Sequence, residues 1–108
     1  MTAQRIALLH VSDRPEDIAR AIGIARTLHE GRPEYGIRII VNGPAVRGAT
    51  RDAEPLDVPD FASVEICEGG LRARSIPVDS LQASVVTTAS AAVAIADAQF
   101  DGAAYNRV

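Results

Sequence analysis

Apolar residues along this chain fall into short continuous runs, separated by stretches in which they recur at helical spacing. The first run, "RIALLHV" from Arg5 to Val11, is nearly unbroken. That pattern predicts a strand buried on both faces of a sheet. It stops at "SDRPED", where Ser12 or Asp13 can cap a helix starting near Arg14. Pro15 suits the first turn, and Glu16 and Asp17 favour the positive end of the helix dipole. Ile18, Ala21, Ile22, Ala25 and Leu28 then form one apolar stripe, which Gly31 and Pro33 bring to an end.

A second buried strand is predicted over Gly36 to Gly43, broken only by Arg38. The proline-broken tract after it leaves room for one helical turn around Ala45 to Ala49. Its acidic portion, residues 52–60, reads as a solvated loop, with a lid or docking surface as the functional alternative. A third strand runs from Ser63 to Cys67. A short helix or turn through Leu71 to Ser75 follows, weakened at its start by Gly69 and Gly70 and ended by Pro77. A fourth strand spans Ala83 to Ala89. Ser90 caps a helix from Ala91 to Phe100 whose apolar positions include Val93, Ile95, Ala96 and Phe100. Gly102 closes it, and "AAYNRV" adds a last strand. Strands alternating with helices over 108 residues indicate one α/β domain, 1–108, with a mostly parallel sheet covered on both faces.

Composition changes this picture by exclusion. A net charge of −3 supplies no basic field for nucleic acid. All 11 basic residues are arginine, so chemistry that needs a lysine amine is absent. No apolar run approaches the ~20 residues of a membrane span. The N-terminus has no leader pattern, and a lone thiol suits a reducing compartment, so the expected location is cytoplasmic. The first strand–helix turn lacks a glycine-rich phosphate or dinucleotide fingerprint, and no serine-hydrolase elbow is present. Two histidines and scattered carboxylates give no metal-ligand spacing. Neither a metal nor a cofactor is expected.

Ligands of open parallel sheets bind beyond the carboxyl ends of the strands. Those ends hold His10 and Ser12, then Asn42, Gly43 and Pro44, then Cys67 and Glu68, then Thr87, Thr88 and Ser90. Cys67 is the only strong nucleophile among them. Helix N–H groups, the bare backbone of Gly69 and Gly70, and the charge of Arg72 and Arg74 favour a reactive thiolate there. Glu68 opposes it. The other reading makes Cys67 the last apolar residue of a buried strand. His10 is either a loop-binding histidine or a proton carrier, if the first and third strands are neighbours. His29 suits the negative end of the first helix and has no site role.

Three segments, "IIVNGPAV", "VEICEGGLRARSIP" and "VVTTASAAVAIADAQFDGAAY", resemble in order the pattern of the DsrE/DsrF-like family, which has the YchN-like fold. The matching residues are Gly43, Pro44, Ala45 and Val46, then Cys67, then Gln99, Gly102 and Tyr105. The resemblance implies a three-layer α/β/α sandwich on a five-stranded, mainly parallel sheet. It also implies homo-oligomers, trimers or hexamers, or assembly with paralogous DsrE-like subunits. The implied role is intracellular sulfur relay, with donor and acceptor proteins as partners and a persulfide carried on Cys67. The chain departs from the pattern in the acidic loop and in the Glu68-Gly69-Gly70 run, both beside the implied site.

Two functions follow as expectations. One is a persulfide carrier or sulfurtransferase-like protein. In it Cys67 is the nucleophile, backbone N–H groups of Glu68, Gly69, Gly70 and Leu71 hold the anion, and His10 and Arg72 are auxiliary. Asn42, Gly43 and Thr88 complete the binding edge. The other is a non-catalytic oligomeric module that binds a small ligand at the strand ends.

Overall fold

The computed structural model describes residues 4–108. Five parallel strands lie in the order β4-β3-β2-β1-β5: β1 (Ile6–Val11), β2 (Gly36–Val41), β3 (Ala62–Cys67), β4 (Val86–Thr88) and β5 (Ala104–Arg107). The helices are α1 (Asp17–Gly31), α2 (Glu68–Ala73) and α3 (Ala91–Phe100), with a 3₁₀ helix over Gly43–Ala49 and a 3₁₀ turn over Val78–Ser80. The three layers follow from strand periodicity. Leu9, Val11, Ile37, Ile39, Val41, Val64 and Ile66 point to one face, where α1, α2 and the long 3₁₀ helix cover them. Leu8, Ile40 and Cys67 point to the other, where α3 supplies Ala91 and Ala98.

Several boundaries differ from expectation, each for a local reason. Helix α1 begins at Asp17 rather than near Arg14, and no side chain caps it. Ser12 and Asp13 are drawn instead to Arg107 on β5, whose Nη2 donates to both at 2.9 and 3.0 Å. Helix α2 begins at Glu68, running straight through the glycines, and stops at Ala73. There the N–H of Ile76 bonds the carbonyl of Leu71 and Ser75 adopts φ 56°. Strand β4 keeps only three residues, because a turn at Gln82 to Val85 precedes it. Helix α3 matches its expected span. Ser90 accepts from the Val93 N–H, and Gly102, at φ 98°, closes the other end. Two of its apolar positions face solvent, however: Val93 and Phe100, the latter 90% exposed.

The acidic tract is neither helical nor loose. Gln82 holds it by backbone atoms, its amide nitrogen donating to the carbonyls of Thr50 and Glu54 and its amide oxygen accepting from the Leu56 N–H. Arg26 adds a bond to the carbonyl and carboxylate of Asp57, and Leu56, Val58 and Phe61 pack against the core.

Where α1 meets the 3₁₀ helix, a Cβ on Gly48 would stand 2.4 Å from the Pro15 carbonyl oxygen, whereas one on Gly23 would meet nothing within 4 Å. Gly48→Ala is therefore expected to lose about 1–3 kcal/mol of stability, and Gly23→Ala to gain about 0.5–1 kcal/mol. Urea unfolding of the two variants beside the parent checks both signs.

Candidate functional site

Because every strand is parallel, His10, Asn42, Cys67 and Thr88 come to one edge of the sheet. Cys67 and Thr88 are register partners on adjacent strands. Asn42 stands one step beyond Val41, which pairs with Ile66, so it flanks Cys67 on the same face. Strand β2 lies between β1 and β3, so the first and third strands are not neighbours and the condition for His10 as a proton carrier beside Cys67 is not met.

His10 is fixed by two other side chains. Its Nδ1 lies 2.6 Å from the Tyr105 hydroxyl, and its Nε2 lies 2.9 Å from Asn42 Oδ1. An amide oxygen only accepts, so Nε2–H donates to Asn42 while Nδ1 pairs with the Tyr105 hydroxyl. His10 is thus tied to Tyr105 and Asn42 and makes no hydrogen bond to Cys67. The sequence marks Tyr105 as a residue of the family pattern but gives it no site role.

Cys67 ends β3 with 9% of its surface exposed, packed with Leu8, Ile40, Ala91 and Ala98. Its Sγ accepts the Ala91 N–H at 3.3 Å. Helix α2 was expected to supply this donor. It comes instead from the first turn of α3, which the Ser90 cap pins in place. Nothing in the sequence signals this contact, because 24 residues separate its partners.

The remaining candidates divide sharply. Leu71 is fully buried in the main core and is a packing anchor. Gly43 has φ 57°, and a Cβ there would lie 2.7 Å from the Ser12 carbonyl oxygen, so backbone approach demands glycine. Gly70 lets α2 sit close to Val46, whose Cγ1 would be 3.2 Å from a Cβ. Glu68 accepts from the Thr87 hydroxyl at 2.8 Å. Arg74 folds back to donate to the Gly70 carbonyl at 3.0 Å. Gly69 is different. The point where its Cβ would stand is 3.7 Å from Cys67 Sγ and 3.7 Å from Arg72 Nη2. A Cβ there would be in ordinary van der Waals contact with both, so the bare backbone of Gly69 lies beside the sulfur and near a guanidinium.

On the α3 face, Arg38 forms a two-pronged ion pair with Glu65, both bonds 2.8 Å, and Ser63 donates to the same carboxylate. Burial pushes the Glu65 carboxyl upward, but the bonds from Arg38 and Ser63 outweigh it and leave the group below its ordinary range. Asp13, held by the Ser12 hydroxyl and then by Arg107, is also lowered. A cleft of about 400 Å³ opens beside this pair, lined by Arg38, Thr88, Ala89, Ser90, Val93, Ala94 and Asp97. Among the described residues, no three His, Cys, Asp or Glu side chains are grouped to hold a metal ion, and no helix is long and apolar enough to cross a membrane.

No protein-family model matches the sequence, and no curated protein does. Solved structures do. The chain is similar to MTH1491 from Methanobacterium thermoautotrophicum, a protein of unknown function, with TM-score 0.81 and 21% identity over 98% of this chain and 100% of that one. It is also similar to the ychN protein from E. coli, with TM-score 0.73 and 16% identity over 98% and 100% of the two chains. These likenesses establish the fold, a five-stranded parallel sheet with flanking helices.

Because the folded Glu65 carboxyl titrates below its unfolded value of 4.5, its contribution is complete above that pH and is lost as pH falls through the folded value. Thermal unfolding from pH 7 down to pH 3 is expected to show this acid limb. Glu65→Gln should flatten the limb and cost about 1–3 kcal/mol at neutral pH, since Arg38 is left without its carboxylate.

Proposed function

We propose that this protein carries sulfur on Cys67, in a reducing cytoplasm, as a persulfide relay subunit of DsrE-like type. The observation that carries this reading is the bare backbone of Gly69 beside Cys67, where the point a Cβ would occupy is 3.7 Å from Sγ and 3.7 Å from Arg72 Nη2. A terminal persulfide sulfur is a single additional anionic atom. Placed over Gly69 it would stand near the Arg72 guanidinium, while the Ala91 N–H bonds Sγ. In the loading step, the Cys67 thiolate attacks the outer sulfur of a donor persulfide. The donor S–S bond breaks, the donor leaves as a thiolate, and a new S–S bond forms on Cys67. Delivery runs the same exchange towards an acceptor thiolate, so no external oxidant or reductant enters. The chain's lack of a second cysteine removes the internal thiol that would discharge the load as a disulfide.

Burial of Sγ favours the second reading, a module in which Cys67 packs the core and a small ligand binds elsewhere along the edge. Reagent size separates the two. A carrier thiol reacts with a small donor and resists bulky ones; a core thiol reacts with neither while folded.

Incubation with a low-molecular-weight persulfide donor is expected to add the mass of one sulfur atom in intact-protein spectra, and Cys67→Ser to abolish the gain. Gly69→Val, which crowds the sulfur, should slow loading by at least about tenfold, with the circular dichroism spectrum of the variant checking that it is folded. If the wild-type chain gains no Cys67-dependent mass, the relay reading fails.

The solvent-facing stripe of Val93, Ala96 and Phe100 on α3 supports assembly with further copies of this chain, as trimers or hexamers. Sedimentation equilibrium is expected to show an oligomer that Phe100→Asp converts to monomer at the same concentration.

A further inference from the structure

We infer that the cleft beside α3 is a binding site for a small zwitterion of the amino-acid class, its carboxylate on Arg38 and its ammonium on Asp97. The cleft volume, about 400 Å³, falls within the ~300–1,000 Å³ typical of small-molecule sites. On its floor Arg38 spends Nε and Nη2 on Glu65. Nη1 has no protein partner among the described residues, so the guanidinium's outer edge is free to take a planar carboxylate through two parallel bonds. Glu65 makes that edge a fixed feature, because the side-on pair holds the guanidinium in one orientation before any ligand arrives. The Thr88 and Ser90 hydroxyls line the same space. On the helix wall stands Asp97, whose carboxylate has neither an ion pair nor a side-chain hydrogen bond among the described residues, and Val93 and Ala94 lie nearby as an apolar surface.

Charge selects the ligand. A simple anion on Arg38 would stand beside the unpaired carboxylate of Asp97, and a simple cation on Asp97 would leave the outer edge of the Arg38 guanidinium without a hydrogen-bond acceptor. A molecule with a carboxylate at one end, an ammonium at the other and a short aliphatic body between them satisfies both walls and covers the apolar strip. Cys67 does not line the cleft, so this site stands whether or not that thiol carries sulfur.

The test is a titration of the ¹⁵N-labelled full chain with β-alanine and γ-aminobutyrate, and with butyrate and butylamine as half-ligands. Saturable shifts of the Thr88, Ser90, Val93 and Asp97 amides are expected with the zwitterions. Both half-ligands should bind at least about tenfold more weakly. Asp97 is exposed on α3, so its variants leave the core untouched. Asp97→Asn should bring γ-aminobutyrate down to the level of butyrate, and Asp97→Lys should reverse the order in favour of butyrate. Absence of saturable shifts with either zwitterion overturns the inference, as does equal binding of butyrate or butylamine by the wild-type chain, or an Asp97→Asn variant that binds as the wild type does.

Discussion

A parallel sheet has to hide both of its faces, and this chain has unequal means of doing so. Alternation along β1, β2 and β3 sends Leu9, Ile39 and Ile66 to one side and Leu8, Ile40 and Cys67 to the other. The first side is closed by two helices, a 3₁₀ helix and the anchored acidic loop. The second has α3 alone, which crosses from β4 at one edge to β5 at the other and packs on β1 and β2. What α3 leaves uncovered is filled by a polar device, the Arg38–Glu65 pair with Ser63, rather than by hydrocarbon. Paired this closely, the two charges keep a partly open sheet face from being either a sticky apolar surface or a strongly charged one.

The same crossing places the start of α3 over the end of β3. Its first N–H therefore reaches the sulfur of Cys67, and its outer wall forms the cleft above Arg38. The two proposed sites share one helix end, because both depend on where Ser90 pins the first turn. Cys67 belongs to the core by its neighbours and to the edge by its place at the end of β3, beside Gly69. The two readings of this cysteine are thus descriptions of opposite sides of one atom.

Element types and order were legible in the sequence, because apolar runs and helical stripes report burial locally. The α3 span and its cap came through intact, since a serine at one end and a glycine at the other act within four residues. What the chain order hides is which strand ends touch. The sheet order puts β2 between β1 and β3 and β1 beside β5, so His10 meets Tyr105 and Asn42 rather than Cys67. Competition from distant partners also went unseen. Arg107 takes Ser12 and Asp13 away from their capping role, and Ala91 takes over the donor role assigned to α2. Glycines were the least legible. Gly43 and Gly70 serve close approach and Gly69 lies beside the sulfur of Cys67, and the same letter stands for all three.

Gln82 bonds the acidic tract through two carbonyls and one N–H, all of them main-chain atoms. Contacts of that kind are indifferent to the identity of the residues they hold. Most side chains between positions 51 and 55 are thus free to drift or be replaced by grafted sequence, as long as the segment keeps its length and the glutamine stays. That part of the surface can be rewritten without disturbing the edge where the strands end.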